Sequence, residues 1–154
     1  MRRLVLILLI SLSAEGIAQE TIASAEAEVK TTIQQFFTDF HAQDTVGLKQ
    51  RVSDKILMQT LVPEANGKHH VAQVNFSVFA ASIAGIPTTT TFREDILDYT
   101  IMIDGAMAHA WTPYRFYIND ELSHCGVNSF TLVKEEETWM IAHIIDTRRK
   151  EDCE

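Results

Sequence analysis

Residues 92–149 read FREDILDYTIMIDGAMAHAWTPYRFYINDELSHCGVNSFTLVKEEETWMIAHIIDTRR, and how this stretch divides decides the fold. Four strand-like runs are separated by three polar turns: Asp104-Gly105, Asn119 to Leu122, and Glu135 to Thr138. Asp-Gly is a strong two-residue hairpin signal, because both loop positions need positive φ. The stretch therefore predicts a continuous antiparallel meander. Taking Asp104-Gly105 as the first loop pairs Ile103 with Ala106. The next two turns pair Ile118 with Ser123 and Val133 with Met140. Directly paired residues share a face of the sheet.

This register sorts the side chains. One face carries Glu94, Ile96, Asp98 and Thr100, then His109, Trp111, Pro113 and Arg115. It continues through His124, Gly126, Asn128, Phe130 and Leu132 to Trp139, Ile141, His143 and Ile145. The other face, from Leu97 and Tyr99 through Tyr114, Phe116 and Val127 to Ile144, is packing material. Neither face reads as solvated, so both are expected to be covered. Aromatic walls with a few polar groups are what a small-molecule pocket needs, and the first face supplies them.

Outward from the meander, Glu20 to Ala42 reads as a helix. Ile22, Ala25, Val29, Ile33, Phe36, Phe37 and Phe40 recur at spacings of three and four. Asp44 is placed to cap a short second helix, Thr45 to Val52. Lys55 to Val62 reads as a strand, Pro63 to Lys68 as a turn containing Asn66-Gly67, and His69 to Ala84 as a third helix stopped by Gly85 and Pro87. Helices first and an antiparallel sheet after them is an α+β order. A sheet with two apolar faces and three helices is expected to curl into a cone-shaped α+β barrel, with the helices in its concave side and its outer face on a second subunit.

At 154 residues the chain is one domain. Met1 to Ala18 reads as a secretory signal peptide: Arg2-Arg3, an apolar run from Leu4 to Leu12, and Gly16-Ile17-Ala18 as the cleavage site. The mature domain then spans 19–154 and is periplasmic or secreted. Loss of Arg2, Arg3 and Glu15 takes the formal charge from −8 to −9. Such a chain is a poor nucleic-acid binder and is repelled by anionic membranes. Cys125 and Cys153 are the two cysteines. An extended tail would hold them too far apart, whereas a folded-back tail could bridge them; free thiols or an intermolecular bond are the alternatives. No metal-type cysteine spacing, phosphate-binding Gly-rich loop or nucleophile elbow is present, so no cofactor or metal is expected.

The C-terminal meander resembles the nuclear transport factor 2-like superfamily, which includes the SnoaL-like polyketide cyclases, ketosteroid isomerase, scytalone dehydratase and the lumazine-binding-like proteins. The residues that carry the resemblance are Trp111-x-x-Tyr114-x-Phe116, His124-x-Gly126, Phe130 to Lys134, Trp139-Met140-Ile141 and Asp146 to Arg149. It covers about residues 20–149. The resemblance implies a cone-shaped cavity between sheet and helices, and commonly a homodimer. The family's enzymes carry different catalytic sets: a tyrosine with two carboxylic acids, a histidine–aspartate pair with tyrosines, or an aspartate–arginine–aspartate set. None of these maps position by position onto this chain.

The residues themselves offer acid–base and binding candidates. Asp98 is expected opposite Trp111, with His109 as its diagonal neighbour; a carboxylate-oriented histidine can act as a base near neutral pH. His124 is the third catalytic candidate. Trp111, Tyr114, Arg115, Asn128 and Phe130 are the ligand-binding candidates, with Trp111 stacking on a ring and Arg115 meeting an anion. Structural alternatives stand beside these: a hydrogen-bonded Asp98–His109 pair, and an Arg115–Glu94 ion pair across the strands. Asp146 to Arg149 either borders the cavity or ends the sheet in solvent. The expected occupant is a small apolar or aromatic molecule. The chain is either a cofactor-free cyclase, isomerase or dehydratase, or a non-catalytic binding, interaction or dimerisation module.

Overall fold

The computed structural model describes the backbone of residues 4–153 and the side chains of residues 22–153. The leader expected over residues 1–18 therefore lies outside the described side chains.

Helix α1 spans Leu4–His41, and its apolar stripe buries Val29, Ile33, Phe36, Phe37 and Phe40. Asp44 caps α2 (Thr45–Arg51) by accepting from the amides of Val46 and Gly47 at 3.0 and 2.9 Å. β1 (Val52–Pro63) and β2 (His69–Val74) form a hairpin about the turn containing Asn66-Gly67. The helix expected over His69–Ala84 is thus half strand. Val71 and Val74 suit a pleated surface and pair with β1, and Asn75 starts α3 (Phe76–Ala84) by accepting from Ser77 N–H at 2.9 Å.

The meander comprises β3 (Phe92–Ile96), β4 (Thr100–Asp104), β5 (Met107–Ile118), β6 (Glu121–Glu135) and β7 (Thr138–Thr147). The sheet runs β2-β1-β7-β6-β5-β3, with β4 sharing the edge of β5. All pairs are antiparallel except β1 with β7. The fold is the expected α+β cone, with three helices against a curved sheet of seven strands, although α3 follows the first hairpin.

The register differs from the expected one at three places. Between β3 and β4, the three residues Leu97-Asp98-Tyr99 face only Thr112 and Pro113, so Glu94 pairs with Phe116, not Arg115. In β6 the turn tightens to Asn119-Asp120, with Ile118 opposite Glu121 and not Ser123, and Ser123 is an extra residue, so Phe116 pairs with His124 and Tyr114 with Gly126. In β7 Ala142 is extra: Leu132 still pairs with Ile141, but Thr131 pairs with His143 and Asn128 with Asp146. The first hairpin also closes two residues later, with Ile103 opposite Ala108 and a Gly105-Ala106 loop. That shift is even and leaves the faces unchanged. Each of the other three is odd and exchanges them.

The concave face consequently carries Ala108, Ala110, Thr112 and Tyr114 of β5, with Phe130, Leu132, Ile141 and Ile144; all are buried, and the apolar ones other than Tyr114 pack with the phenylalanines of α1. The convex face carries His109, Trp111 and Arg115. Its part around Trp111 is not covered within the subunit: Trp111, Met107 and Met102 are 47%, 53% and 61% exposed.

Beyond β7 the tail folds back. Arg149 and Cys125 exchange backbone hydrogen bonds of 2.8 and 2.9 Å, and Cys125 is disulfide-bonded to Cys153 across a Cα–Cα distance of 5.5 Å. Gly126 makes this crossing possible. A Cβ there would collide with the carbonyl of Thr147 and lie 3.0 Å from the Tyr114 ring. Gly126→Ala is therefore expected to cost about 3 kcal/mol. Urea unfolding checks this; an unchanged midpoint would mean that the strands do not approach so closely.

Candidate functional site

A cavity of about 300 Å³ lies between the helices and the concave face. Its apolar wall is aromatic: Phe36, Phe37 and Phe40 of α1, Phe79 of α3, Phe116 of β5 and Phe130 of β6. Phe36 and Phe37 both meet Phe130 edge-on, and Phe40 stacks on Phe79. These contacts fix the wall by ring-to-ring packing and leave little that is polar along it.

The polar part is a cluster of six side chains brought in by β3, β5, β6 and the end of β7: Glu94, Tyr114, His124, Asn128, Asp146 and Arg148. Asn128 donates from Nδ2 to Glu94 Oε1 at 2.6 Å. Arg148 donates from Nε to Asp146 Oδ2 at 2.7 Å. The Tyr114 hydroxyl donates to the Thr147 carbonyl at 2.9 Å and lies 3.5 Å from Asp146 Oδ2. His124 stacks on Phe116 and meets Tyr114 edge-on, with its Nδ1 3.1 Å from Ser123 Oγ. Thr60 of β1, opposite Asp146 in the sheet, adds a buried hydroxyl with no hydrogen-bond partner in the protein. Among the described residues no group of three or more His, Cys, Asp and Glu is placed to hold a metal ion.

Burial sets the proton affinities here. The Glu94 carboxyl is raised from 4.5 to about 7, chiefly by desolvation; Asp146 pushes it further up, and the Asn128 hydrogen bond and Arg148 pull it down. It thus exchanges its proton near neutrality, where a general acid or base is most useful. Desolvation also raises the Tyr114 hydroxyl, helped by Asp146 and Glu94, so Tyr114 stays protonated. His124 is lowered by burial and then by Arg148, which favours the neutral imidazole.

Glu94 is held from behind as well. Its backbone N–H donates to Nε2 of His41, the last residue of α1, at 2.8 Å. Burial lowers the His41 pKa, against the pull of Asp95. The neutral ring that results is the form able to accept this bond.

The structure brings four of the sequence candidates into this cavity: His124, Tyr114, Asn128 and Phe130. The other four lie elsewhere. Asp98 is exposed in the break between β3 and β4, with Trp111 opposite Thr100 instead. His109 pairs with Met102 and Thr131 on the convex face. Trp111 points from that face into solvent, and Arg115 donates to the Cys153 carbonyl at 3.0 Å. Trp139 is core. His69 and His70 begin a strand, where His70 Nδ1 lies 3.0 Å from Glu64 Oε1.

The expected register sets Glu94 against Arg115, and strand periodicity alone leaves Asp146 and Arg148 between cavity border and solvent. Two signals pointed inward. Gly126 permits the close crossing that brings the end of β7 to the site, and Asp146-x-Arg148 follows directly on the alternation of the last strand.

The Glu94 shift has a thermodynamic consequence. Its folded pKa is raised, so the native state binds the extra proton between about pH 4.5 and 7. The stabilisation is complete below the unfolded pKa and disappears as pH rises through the folded one. Wild type should lose roughly 3 kcal/mol from this group between pH 4.5 and 7.5. Glu94→Gln, which mimics the protonated carboxyl, should lose that slope. His41 works in the opposite direction, its lowered pKa costing stability as pH falls below 6.5. The difference between wild type and Glu94→Gln isolates the glutamate, and parallel stability–pH curves would contradict the assignment.

No family model matches the chain, and no curated protein matches it in sequence. Solved structures do match. An NTF2-like protein with a cystatin-like fold from Novosphingobium aromaticivorans superposes with a TM-score of 0.70 at 13% identity, over 88% of this chain and 89% of that one. An NTF2-like protein of unknown function from Pseudomonas putida KT2440 gives 0.63 at 18% identity, over 81% and 87%. A protein of the NTF2-like family from Streptomyces avermitilis, provisionally named a dehydratase, gives 0.63 at 12% identity, over 82% and 97%. At these identities the likeness is one of architecture. With its helices against a curved sheet and a cavity between them, this chain has the nuclear transport factor 2-like, cystatin-like fold.

Proposed function

We propose that this is an exported domain that binds a small, mainly apolar or aromatic molecule and catalyses proton transfer on it without a cofactor, as a cyclase, isomerase or dehydratase does. The single observation that carries this reading is Glu94. Its carboxyl lies in an aromatic cavity, oriented by Asn128 at 2.6 Å, with a proton affinity poised near pH 7. A carboxylate desolvated in this way is a strong base, and its acid form is a ready donor. Tyr114, Asp146, Arg148 and neutral His124 surround the place where charge would develop on a carbonyl or hydroxyl of the ligand. A tyrosine with two carboxylic acids is also the residue set, by type and not by position, that the likeness to ketosteroid isomerase implies. The leader-like sequence and the Cys125–Cys153 disulfide support an oxidising, extracytoplasmic location.

The reaction reading is tested by deuterium exchange alpha to the carbonyl of a bicyclic ketone such as 2-tetralone in D2O. Wild type should catalyse saturable exchange that rises with pH through about 7. Glu94→Gln should lower the rate about 100-fold or more. Equal rates for the two proteins would remove Glu94 from the mechanism.

A second reading, of a non-catalytic binding or interaction module, is favoured by the convex face. There Met102, Met107 and Trp111 present an uncovered apolar surface suited to a homodimer. Sedimentation should show a dimer, and Met102→Glu with Trp111→Glu should give monomers with an unchanged far-ultraviolet spectrum. A wild-type monomer at high micromolar concentration would end the dimer proposal.

A further inference from the structure

Among the described residues none after Thr147 belongs to a named helix or strand, yet Arg148 in this tail is one of the six side chains of the polar cluster. Among the described residues, the hydrogen bond that holds the Arg148 side chain to the site is the one to Asp146 at 2.7 Å. The Arg148 side chain is 57% exposed, and an ion pair that open to water gains little over two solvated charges. Something else must fix the backbone that carries it.

What does so is on the other side of the sheet. Immediately after Arg148, Arg149 makes a two-bond bridge to Cys125, and four residues further Cys153 closes the disulfide to the same residue. Arg115 adds a third tie, donating from Nε to the Cys153 carbonyl at 3.0 Å. Cys125 is 2% exposed, so the anchor sits in packed sheet. Arg148 thus leaves a regular strand on one side and enters a covalently closed loop on the other. A covalent tie keeps the Arg149 bridge at high effective concentration; without it, two backbone bonds made by an exposed segment outside regular structure open readily.

We infer that the Cys125–Cys153 disulfide is a positioning element of the site: it straps the tail to the outer wall so that Arg148 is held against Asp146 at the cavity, and breaking it releases Arg148 from the site. The strap acts on the reacting end through charge. Glu94 is faced by Asn128 of β6, by Tyr114 of β5, by Asp146 and Arg148 at the end of β7, and by the His41 ring on its backbone side. Arg148 is itself faced by Asp146, Tyr114, Glu94 and His124, and Lys150 adds a second positive charge at His124. Arg148 is the cation that offsets Asp146 at Glu94. Releasing it leaves Asp146 uncompensated and makes Glu94 a weaker acid. A disulfide persists only in an oxidising compartment, so the cation would be seated in the site after export and unseated by reduction.

This inference deepens the reading of Glu94 as the proton-transfer group and rests on it. The experiment that tests it is an NMR titration of the Glu94 carboxyl carbon in the mature, oxidised protein, in Cys153→Ser, in Arg148→Gln and in the double variant, with no ligand required. The midpoint in oxidised wild type bears on Glu94 itself; the differences among the four proteins bear on the strap. Cys153→Ser should raise the midpoint, with about a threefold or larger gain in proton affinity. Arg148→Gln, with the disulfide intact, should raise it similarly, and the double variant should show no further rise, because both changes remove the same cation. A Glu94 midpoint unmoved by Cys153→Ser in a folded protein overturns the inference. So does an unmoved midpoint in Arg148→Gln, which keeps the disulfide and therefore decides the matter even if Cys153→Ser does not fold. Additive shifts in the double variant would also overturn it, since the disulfide would then act by another route.

Discussion

Alternation along a strand is the constraint on which the rest of this structure depends. Successive side chains point to opposite faces, so one unpaired residue re-aims everything beyond it. Three such residues shape the meander, one in the Leu97–Tyr99 break, one at Ser123 and one at Ala142. Each is an exchange of faces. Together they turn Glu94, His124, Asn128 and Asp146 toward the helices and leave His109, Trp111 and Arg115 outside. Without them the cavity would be lined by a different set of side chains on the same backbone.

The same irregularities make the polar cluster affordable to the fold. A buried carboxylate without partners is strongly unfavourable. Here Glu94 has the Asn128 amide, the His41-anchored backbone and the option of staying protonated. Asp146 has Arg148, and Tyr114 has the Thr147 carbonyl. The aromatic wall supplies the desolvation that raises Glu94, and the α1 phenylalanines that form it also close the core against Phe130 and Leu132. Packing and chemistry therefore share residues: Phe36, Phe37 and Phe40 stabilise the domain and set the dielectric of the site.

Much of the architecture was legible in the sequence because it is written in periodicity and caps. The α1 stripe, the Asp44 cap, the β1 strand, the Asn66-Gly67 turn and the meander all follow from spacing and turn chemistry. The β2 strand was not, since Val71, Val74 and Val78 fall at the helical spacings of three and four; Asn75 is the boundary that separates strand from helix. Half of the site was legible by residue type and half was misplaced by register. A bulge has no compositional signature of its own: nothing in Ser123 or Ala142 announces an extra residue, and only the packing of the two faces selects it. Glu94 is missed as a site residue for the same reason: in the expected register it stands opposite Arg115, where a cross-strand ion pair is the alternative to ligand binding by Arg115. Asp146 and Arg148 depend on a crossing at Gly126 and on a tail bond that strand periodicity does not encode.

The most direct test of this account is a set of cross-strand backbone NOEs in the mature protein. Contacts are expected between Glu94 and Phe116, Phe116 and His124, and Asn128 and Asp146. Contacts placing Glu94 opposite Arg115 and Ile118 opposite Ser123 would contradict it. The uninterrupted meander would then hold, and the site would pass to the face of Trp111 and His109.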